Sequence, residues 1–140
     1  ATVMRFRQAL ESEFGPYERP PVPGFEVTCV PKPPFWKLKL PPRVLGRFVG
    51  QVDAAAVSET WSMATRMKKD NQRDLCVFVM GPAVAAPGEL AVAIAEQRRK
   101  PAPAGGKLII VPMNTRTWAA HVPNDAPPVV RSLLIRLKSS

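Results

Sequence analysis

The stretch DLCVFVM, Asp74–Met80, is the most hydrophobic run of the chain and decides the fold. A short apolar run without alternation is typical of a strand that is buried on both faces. Such strands are common in parallel sheets that are covered by helices. We therefore expect Asp74–Met80 to be the central strand of an α/β domain.

A strand and a helix are predicted immediately before this run. RFVGQV (Arg47–Val52) predicts a strand. Asp53 then occupies the position of an N-cap, and the apolar spacing of Ala54–Lys69 predicts a helix. The order strand, helix, strand over residues 47–80 is that of a right-handed βαβ crossover.

The same order repeats after the central strand. Glu89–Lys100 predicts a second helix, and Lys107–Val111 predicts a buried strand that ends at Pro112. Pro127–Lys138 has leucines and valines on one side and predicts a closing helix. Strands that alternate with helices in this way indicate a mostly parallel sheet.

The N-terminal third of the chain is rich in proline. The sequence contains 17 prolines, about two and a half times the usual share, and they are densest in residues 15–45. We interpret this region as an extended arm that follows a helix at Val3–Phe14 and contains strands at Phe25–Val30 and Phe35–Leu40. Its aromatic side chains are predicted anchors on the body: Phe14, Tyr17, Phe25, Phe35 and Trp36.

Together these patterns predict a single three-layer α/β domain with a mostly parallel sheet and helices on both faces. The proline-rich arm contributes edge strands. We expect residues 1–45 to form the N-terminal helix and the arm, packed on an α/β body that comprises residues 46–140.

The charge of the chain indicates the kind of partner. Twenty Lys and Arg against eleven Asp and Glu give 140 residues a formal net charge of +9. This favours nucleic acid, an anionic membrane surface or an acidic protein as the partner. No apolar run approaches the roughly 18–20 residues that cross a bilayer, and the charged N-terminal segment does not resemble a secretory signal. We therefore expect a cytoplasmic protein without a transmembrane segment.

The cysteines favour a reducing compartment. Cys29 and Cys76 lie in apolar, strand-like runs and form no CxxC motif, and His121 is the single histidine. Four clustered Cys and His ligands, as a structural zinc site needs, are missing. We interpret both cysteines as small buried side chains, with a disulfide between neighbouring strands as the alternative.

Residue patterns that carry catalysis are missing as well. No phosphate-binding loop follows the central strand, and no GxSxG motif is present. One alternative is an anion site at the N–H groups of Gly88–Leu90, although Glu89 lies in that turn. Another is a Cys–His pair formed in space by His121 and either cysteine. We predict a non-enzymatic protein with no catalytic residues, no cofactor and no metal site.

The predicted order of helix, three strands, helix and strand over residues 3–80 resembles the core of the PD-(D/E)xK nuclease fold. That family holds Mg²⁺ with an acid on the second core strand and an acid-x-Lys on the third, where the lysine helps to activate water. Here the second strand contains Trp-Lys-Leu-Lys at residues 36–39, and the third, Arg47–Val52, contains no acid-x-Lys. The resemblance therefore implies a degenerate metal site.

Cations cluster where the two predicted crossover helices end. In consecutive βαβ units, the helix C-termini and the strand starts that follow them lie at the same edge of the sheet. Cations there also complement the helix dipoles, which is a purely structural reason for the same pattern. We call the following residues the cationic rim: Arg66, Lys68, Lys69, Arg73, Arg98, Arg99, Lys100 and Lys107.

The leading hypothesis is a basic module that binds nucleic acid or another polyanion through the cationic rim. Lys37, Lys39 and Arg116 are additional candidates. The first alternative is a protein–protein adaptor or assembly subunit, or a homo-oligomer, that docks through the arm and through an exposed side of Trp36 or Trp118. The second alternative is the degenerate nuclease-like domain.

Overall fold

The computed structural model describes residues 2–14, 23–29, 42–66, 74–100 and 107–139. These contain the helices α1 (Thr2–Phe14), α2 (Ala54–Arg66), α3 (Pro87–Arg98) and α4 (Pro128–Ser139). The strands are β1 (Val27–Cys29), β2 (Arg43–Phe48), β3 (Gln51–Val52), β4 (Leu75–Gly81), β5 (Ala83–Val84) and β6 (Leu108–Asn114). None of the described helices is long and apolar enough to span a bilayer.

Four of the strands form one mixed sheet in the order β1-β2-β4-β6. β1 is antiparallel to β2, whereas β2 and β4, and β4 and β6, are parallel pairs. Every residue of β4 is buried. The predictions of an α/β fold, a mostly parallel sheet and a central strand at Asp74–Met80 are therefore confirmed.

Side chains of β4 enter two apolar clusters, because successive side chains of a strand point to opposite faces of the sheet. Phe78 and Met80 pack with residues of α1 and α4, whereas Val77 and Val79 pack with residues of α2 and α3. Phe6 of α1 meets Phe78 edge-on, with ring centroids 5.4 Å apart. The core therefore lies on both sides of β4.

The first parallel strand differs from its prediction. β2 begins at Arg43 rather than at Arg47, and the chain bends at Val49 and Gly50 before β3. β4 ends beside this bend at Gly81, where a Cβ atom would lie 2.3 Å from the Val49 carbonyl oxygen. Beyond the bend, β3 and β5 form a short parallel pair of their own. The chain segments that follow β2 and β4 therefore stay paired beyond the main sheet.

β6 continues through Pro112 to Asn114, so the expectation that this strand ends at Pro112 is wrong. Proline lacks an N–H and is tolerated in a strand where that group would not face a partner strand. The Pro112 carbonyl accepts the His121 N–H at 2.9 Å, and the Asn114 N–H donates to the Ala119 carbonyl at 2.8 Å. The backbone groups of Pro112 and Asn114 therefore point away from β4, and the proline removes no bond between β4 and β6. We call residues 119–126, which run back beside β6, the return segment.

Much of the proline-rich arm, residues 15–22 and 30–41, lies outside the described residues, and so does the predicted strand Phe35–Leu40. Of the predicted anchors, Phe25 is 4% exposed and packs in the cluster of α2 and α3. β1 lies at one end of the four-stranded sheet. The expected division between residues 45 and 46 falls inside β2.

The two cysteines are separated by a strand. Cys29 of β1 and Cys76 of β4 are both register partners of Val44 in β2, which lies between them. Neighbouring strands are about 4.8 Å apart, so the two Cα atoms are about 10 Å apart, beyond the roughly 7 Å limit for a disulfide. Both thiols are free and buried. The disulfide alternative is therefore excluded, and the prediction of two small buried thiols is confirmed.

Candidate polyanion-binding edge

Helices α2 and α3 end at the same edge of the sheet. Each connects two neighbouring parallel strands, β2 to β4 and β4 to β6. A helix in such a crossover runs back along the sheet, so its C-terminus lies where the next strand begins. We call this the amino edge, and we call the opposite edge, where the parallel strands end, the carboxyl edge.

Hydrogen bonds hold the strand starts together at the amino edge. The Arg43 N–H donates to the Asp74 carbonyl at 2.9 Å, and the Leu75 N–H donates to the Lys107 carbonyl at 2.8 Å. The Asp74 carboxylate accepts the Lys107 N–H at 2.9 Å. The backbone of Lys107 is thereby fixed beside Asp74, while the residue itself is exposed.

Part of the cationic rim lies in the described chain, and those members are exposed at the amino edge. Arg66 ends α2, Arg98 ends α3, and Arg99 and Lys100 follow directly. Lys107 precedes β6. The helix ends thus bring together cations that are more than 30 positions apart in the sequence. Three further members lie outside the described residues: Lys68, Lys69 and Arg73.

The return segment brings a carboxylate to this edge. Arg98 Nη2 lies 2.5 Å from Asp125 Oδ2, and 37% and 36% of the two side chains are exposed. Burial by itself would raise the pKa of Asp125. The hydrogen bond and charge of Arg98, the backbone N–H of Asp125 and the charge of Lys107 outweigh it and hold this pKa below its usual range. Lys107 is therefore close enough to act on Asp125 electrostatically.

A surface groove of about 300 Å³ adjoins the same contact. Ala91, Ile94, Ala95 and Arg98 line it from α3, and residues 121–124 line it from the return segment. We call it the α3 groove. Because Arg98 belongs to both the α3 groove and the cationic rim, the two features form one continuous surface.

Neither the Asp125 contact nor the α3 groove is predicted from the sequence. Arg98 and Asp125 are 27 positions apart, and they meet only because the chain turns back after β6. The residue types of His121–Asp125 indicate a loop, and the structure has a turn at Asn124 and Asp125. A loop signal of this kind gives no information about the helix that the loop contacts.

The carboxyl edge is occupied by the chain's own carboxylates. Asp53 accepts the Ala56 N–H at 2.9 Å, which confirms its predicted role as the N-cap of α2. Glu89 of α3 accepts the Ala54 N–H at 3.3 Å. An anion at these helix starts would meet two negative charges. The alternative of an anion site at Gly88–Leu90 gains no support from this arrangement.

Trp118 is 6% exposed and packs in the cluster of α1 and α4, so the expectation that its ring has an exposed side is wrong. Its φ is 61°, which is rare for a bulky residue, and its N–H donates to the Asn114 carbonyl at 2.7 Å. The Arg5 guanidinium lies 5.7 Å from the ring centroid. Arg116 lies in the adjacent turn at the carboxyl edge, away from the cationic rim. Trp36, Lys37 and Lys39 lie outside the described residues.

Catalytic groups do not converge in the part of the chain that the structure describes. No three His, Cys, Asp or Glu side chains there could share a metal ion. Burial raises the pKa of the Cys76 thiol to about 12, so at neutral pH this thiol is protonated and is not the nucleophile of a Cys–His pair. β2, the third core strand of the nuclease resemblance, contains no acid, and its Arg47 pairs with Glu59 at 2.8 Å.

The amino edge therefore combines exposed cations, the bound carboxylates of Asp74 and Asp125 and an adjoining groove. The carboxyl edge, in contrast, is closed by groups of the chain itself. Comparison of the chain with protein-family models, with curated proteins and with solved structures gives no match in any of the three.

Proposed function

We propose that this protein is a non-enzymatic binding module that holds nucleic acid or another polyanion at its amino edge, through the cationic rim. The observation that carries the proposal is the exposure of Arg66, of Arg98–Lys100 and of Lys107 at the ends of two parallel crossover helices. Helix dipoles explain one cation at each helix end. They do not require three consecutive cations at the end of α3, and this excess favours a ligand.

The charge balance of the edge supports the proposal. The described cations of the rim outnumber the nearby acids Asp74, Glu96 and Asp125 by five to three. The sequence between α2 and β4 adds three further cations and one acid, Asp70. A phosphate backbone that meets several such cations releases condensed counterions, which makes binding strongly dependent on salt.

The proposal includes a finer description of the fold and of the cell compartment. We propose a three-layer arrangement in which the sheet separates α2 and α3 from α1 and α4, and in which the proline-rich arm follows its edge. The two core clusters on opposite sides of β4 support this arrangement. We also propose a reducing, cytoplasmic location, which the two free thiols support.

Salt-dependent binding of duplex DNA and RNA tests the proposal. We expect the logarithm of the association constant to fall linearly with the logarithm of the salt concentration. In the double variant Arg99→Ala/Lys100→Ala, we expect affinity to fall about tenfold and the slope to decrease by about one to two, because two phosphate contacts are lost. Fluorescence anisotropy at several salt concentrations measures both quantities.

The matched control is Arg131→Ala/Lys138→Ala, which removes the same charge from two exposed cations of α4, outside the rim. This control should retain most of the affinity and the wild-type slope. Equal losses in the two double variants would show that net charge, rather than the rim, attracts the ligand. A stable oligomer at high salt without any polyanion binding would favour the adaptor alternative, and Mg²⁺-dependent cleavage of DNA would overturn the non-enzymatic assignment.

A further inference from the structure

The α3 groove is lined by apolar and polar side chains from α3 and from the return segment. Ala91, Ile94, Ala95 and Arg98 have the spacing i, i+3, i+4 and i+7, which places them on one face of α3. The two alanines leave the space that larger side chains would fill. Its volume, about 300 Å³, lies at the lower end of the range for ligand pockets. The groove can therefore accept one flat ring system rather than a large ligand.

The chemistry of the lining suits a nucleobase. Ile94 and Pro123 are buried and supply apolar surface beneath the groove. His121 supplies a half-buried ring, and Asn124 supplies an amide that both donates and accepts hydrogen bonds. Proteins that bind single strands use rings for stacking on bases, and they use amide and guanidinium groups for contacts with base edges.

A carboxylate of the chain itself binds Arg98 beside the groove. Asp125 bonds to Arg98 at 2.5 Å, and Lys107 is near enough to act on the same carboxylate. A phosphate oxygen forms the same kind of charge-assisted hydrogen bond with a guanidinium. Both side chains of the Arg98–Asp125 pair are more than one-third exposed, so a competing anion from solvent can reach Arg98.

We propose that the α3 groove and Arg98 bind one nucleotide unit of a single-stranded nucleic acid. The base enters the groove, and the neighbouring phosphate replaces Asp125 on Arg98. This inference rests on the proposed function, and it specifies the ligand of the rim. A repeating polyanion fits better than an acidic peptide, because the cations extend along the edge from Arg66 to Lys107 instead of surrounding the groove alone.

Binding of single strands and duplexes of equal length tests the inference. The probe is a labelled DNA strand of mixed sequence and about 12 nucleotides, within the usual range of site sizes, together with its RNA equivalent and its DNA duplex. Bases in a duplex are stacked and cannot enter the groove, whereas the phosphates remain available. We expect the single strands to bind about tenfold more tightly than the duplex at the same salt concentration.

Filling the groove should remove this preference. The exposed Ala95 accepts a larger side chain without disturbing the core, and we expect Ala95→Trp to weaken single-strand binding about tenfold while duplex binding stays unchanged. The matched control is Ala55→Trp, at an exposed position near the start of α2. If the single strands and the duplex bind equally and Ala95→Trp changes neither affinity, the groove assignment is overturned and the rim proposal stands. Absence of salt-dependent binding to every probe would instead overturn the proposed function.

Removing the resident carboxylate tests the phosphate position. We expect Asp125→Asn to strengthen single-strand binding about threefold, because the intramolecular competitor is lost. The gain should disappear in the variant Asp125→Asn/Arg98→Ala. An unchanged or weaker affinity in Asp125→Asn would overturn the exchange of carboxylate for phosphate. Polyglutamate is the competing probe. If it binds as tightly as the single strand, and if Ala95→Trp weakens its affinity equally, the assignment of a nucleotide is overturned.

Discussion

The helix ends at the two edges of the sheet differ in what surrounds them. At the carboxyl edge, the first N–H groups of α2 are bound by Asp53 and Glu89, and Gly81 packs against the Val49 backbone. At the amino edge, α2 and α3 end in exposed cations. The Asp74 carboxylate there accepts a backbone N–H, whereas the Asp125 carboxylate belongs to an exposed ion pair. The chain itself therefore binds the helix start at the carboxyl edge, whereas the amino edge presents exposed cations to solvent.

This difference separates the protein from the usual arrangement of open α/β sheets. Their ligands bind beyond the carboxyl ends of the strands, at a point where the strand order reverses and two crossovers leave a crevice. In the described sheet, the parallel strands follow one another as β2, β4 and β6, and both crossover helices pack in the same cluster. In the described sheet, no reversal of strand order creates a crevice between these two helices.

The largest effect on the free energy of unfolding is expected from a substitution at a close backbone contact of the carboxyl edge. In Gly81→Ala, the new Cβ atom would lie 2.3 Å from the Val49 oxygen, a backbone atom that cannot rotate away. We expect the free energy of unfolding to fall by about 3 kcal/mol, measured by urea denaturation. Gly88→Ala is the control, because no atom lies within 4 Å of its added Cβ, and it should change stability by less than about 1 kcal/mol. Equal stabilities of the two variants would mean that the carboxyl edge is not tightly closed.

A smaller effect is expected from the cap of α2. Asp53→Ala removes the acceptor of the Ala56 N–H, and we expect a loss of about 1 kcal/mol in the free energy of unfolding. Asp53→Asn keeps an acceptor and should lose much less, which separates the hydrogen bond from the charge. If both variants lose the same free energy of unfolding, the negative charge of Asp53, and not its hydrogen bond, stabilises the start of α2.

The smallest effect on the free energy of unfolding is expected from removing the Arg98–Asp125 ion pair at the amino edge. The pKa of Asp125 is lower in the folded protein, so the pair with Arg98 adds stability above the ordinary carboxyl pKa and loses it as pH falls through the lowered value. Because the pair is exposed, we expect Asp125→Asn to cost less than about 0.5 kcal/mol at neutral pH and nothing in strong acid. Urea denaturation at several pH values measures this difference. A cost above about 2 kcal/mol would identify Asp125 as a fixed structural group, and such a group could not be displaced by a ligand.

The sequence predicts the elements whose signal is local. The apolar run of β4 and the spacing of Val57, Trp61 and Ala64 in α2 identify a buried strand and a helix face, and the structure buries all of them. Each signal depends on side chains that repeat with the period of one element. For this reason the α/β order and the N-cap at Asp53 follow from the sequence without knowledge of the tertiary contacts.

The missed features depend on contacts between distant segments. The start of β2 has no clear alternation because it contains Gly46, where a Cβ atom would lie 2.9 Å from a ring carbon of Phe6 in α1. Pro112 stays in β6 because its carbonyl faces the return segment and not β4. Trp118 follows a polar turn and is nevertheless buried beneath Arg5. None of these partners lies within the range of a local pattern.

The candidate site shows the same division. Cations at two helix ends and their common edge follow from the sequence and the rule of right-handed crossovers. The α3 groove and the Asp125 contact do not, because both require the return segment to lie against α3. A sequence pattern therefore predicts the charge of this surface, and only the tertiary structure adds its shape.

The return segment has a further consequence, for self-association. Exposed strand edges can pair with another copy of a chain and start aggregation. Along the outer side of β6, Pro112 has no N–H to offer, its carbonyl already bonds to His121, and the N–H of Asn114 already bonds to Ala119. A second copy could pair with residues 112–114 only by first displacing residues 119–121. Pro112, which interrupts the apolar run of β6, thus helps to protect this part of the strand from pairing with a second copy of the chain.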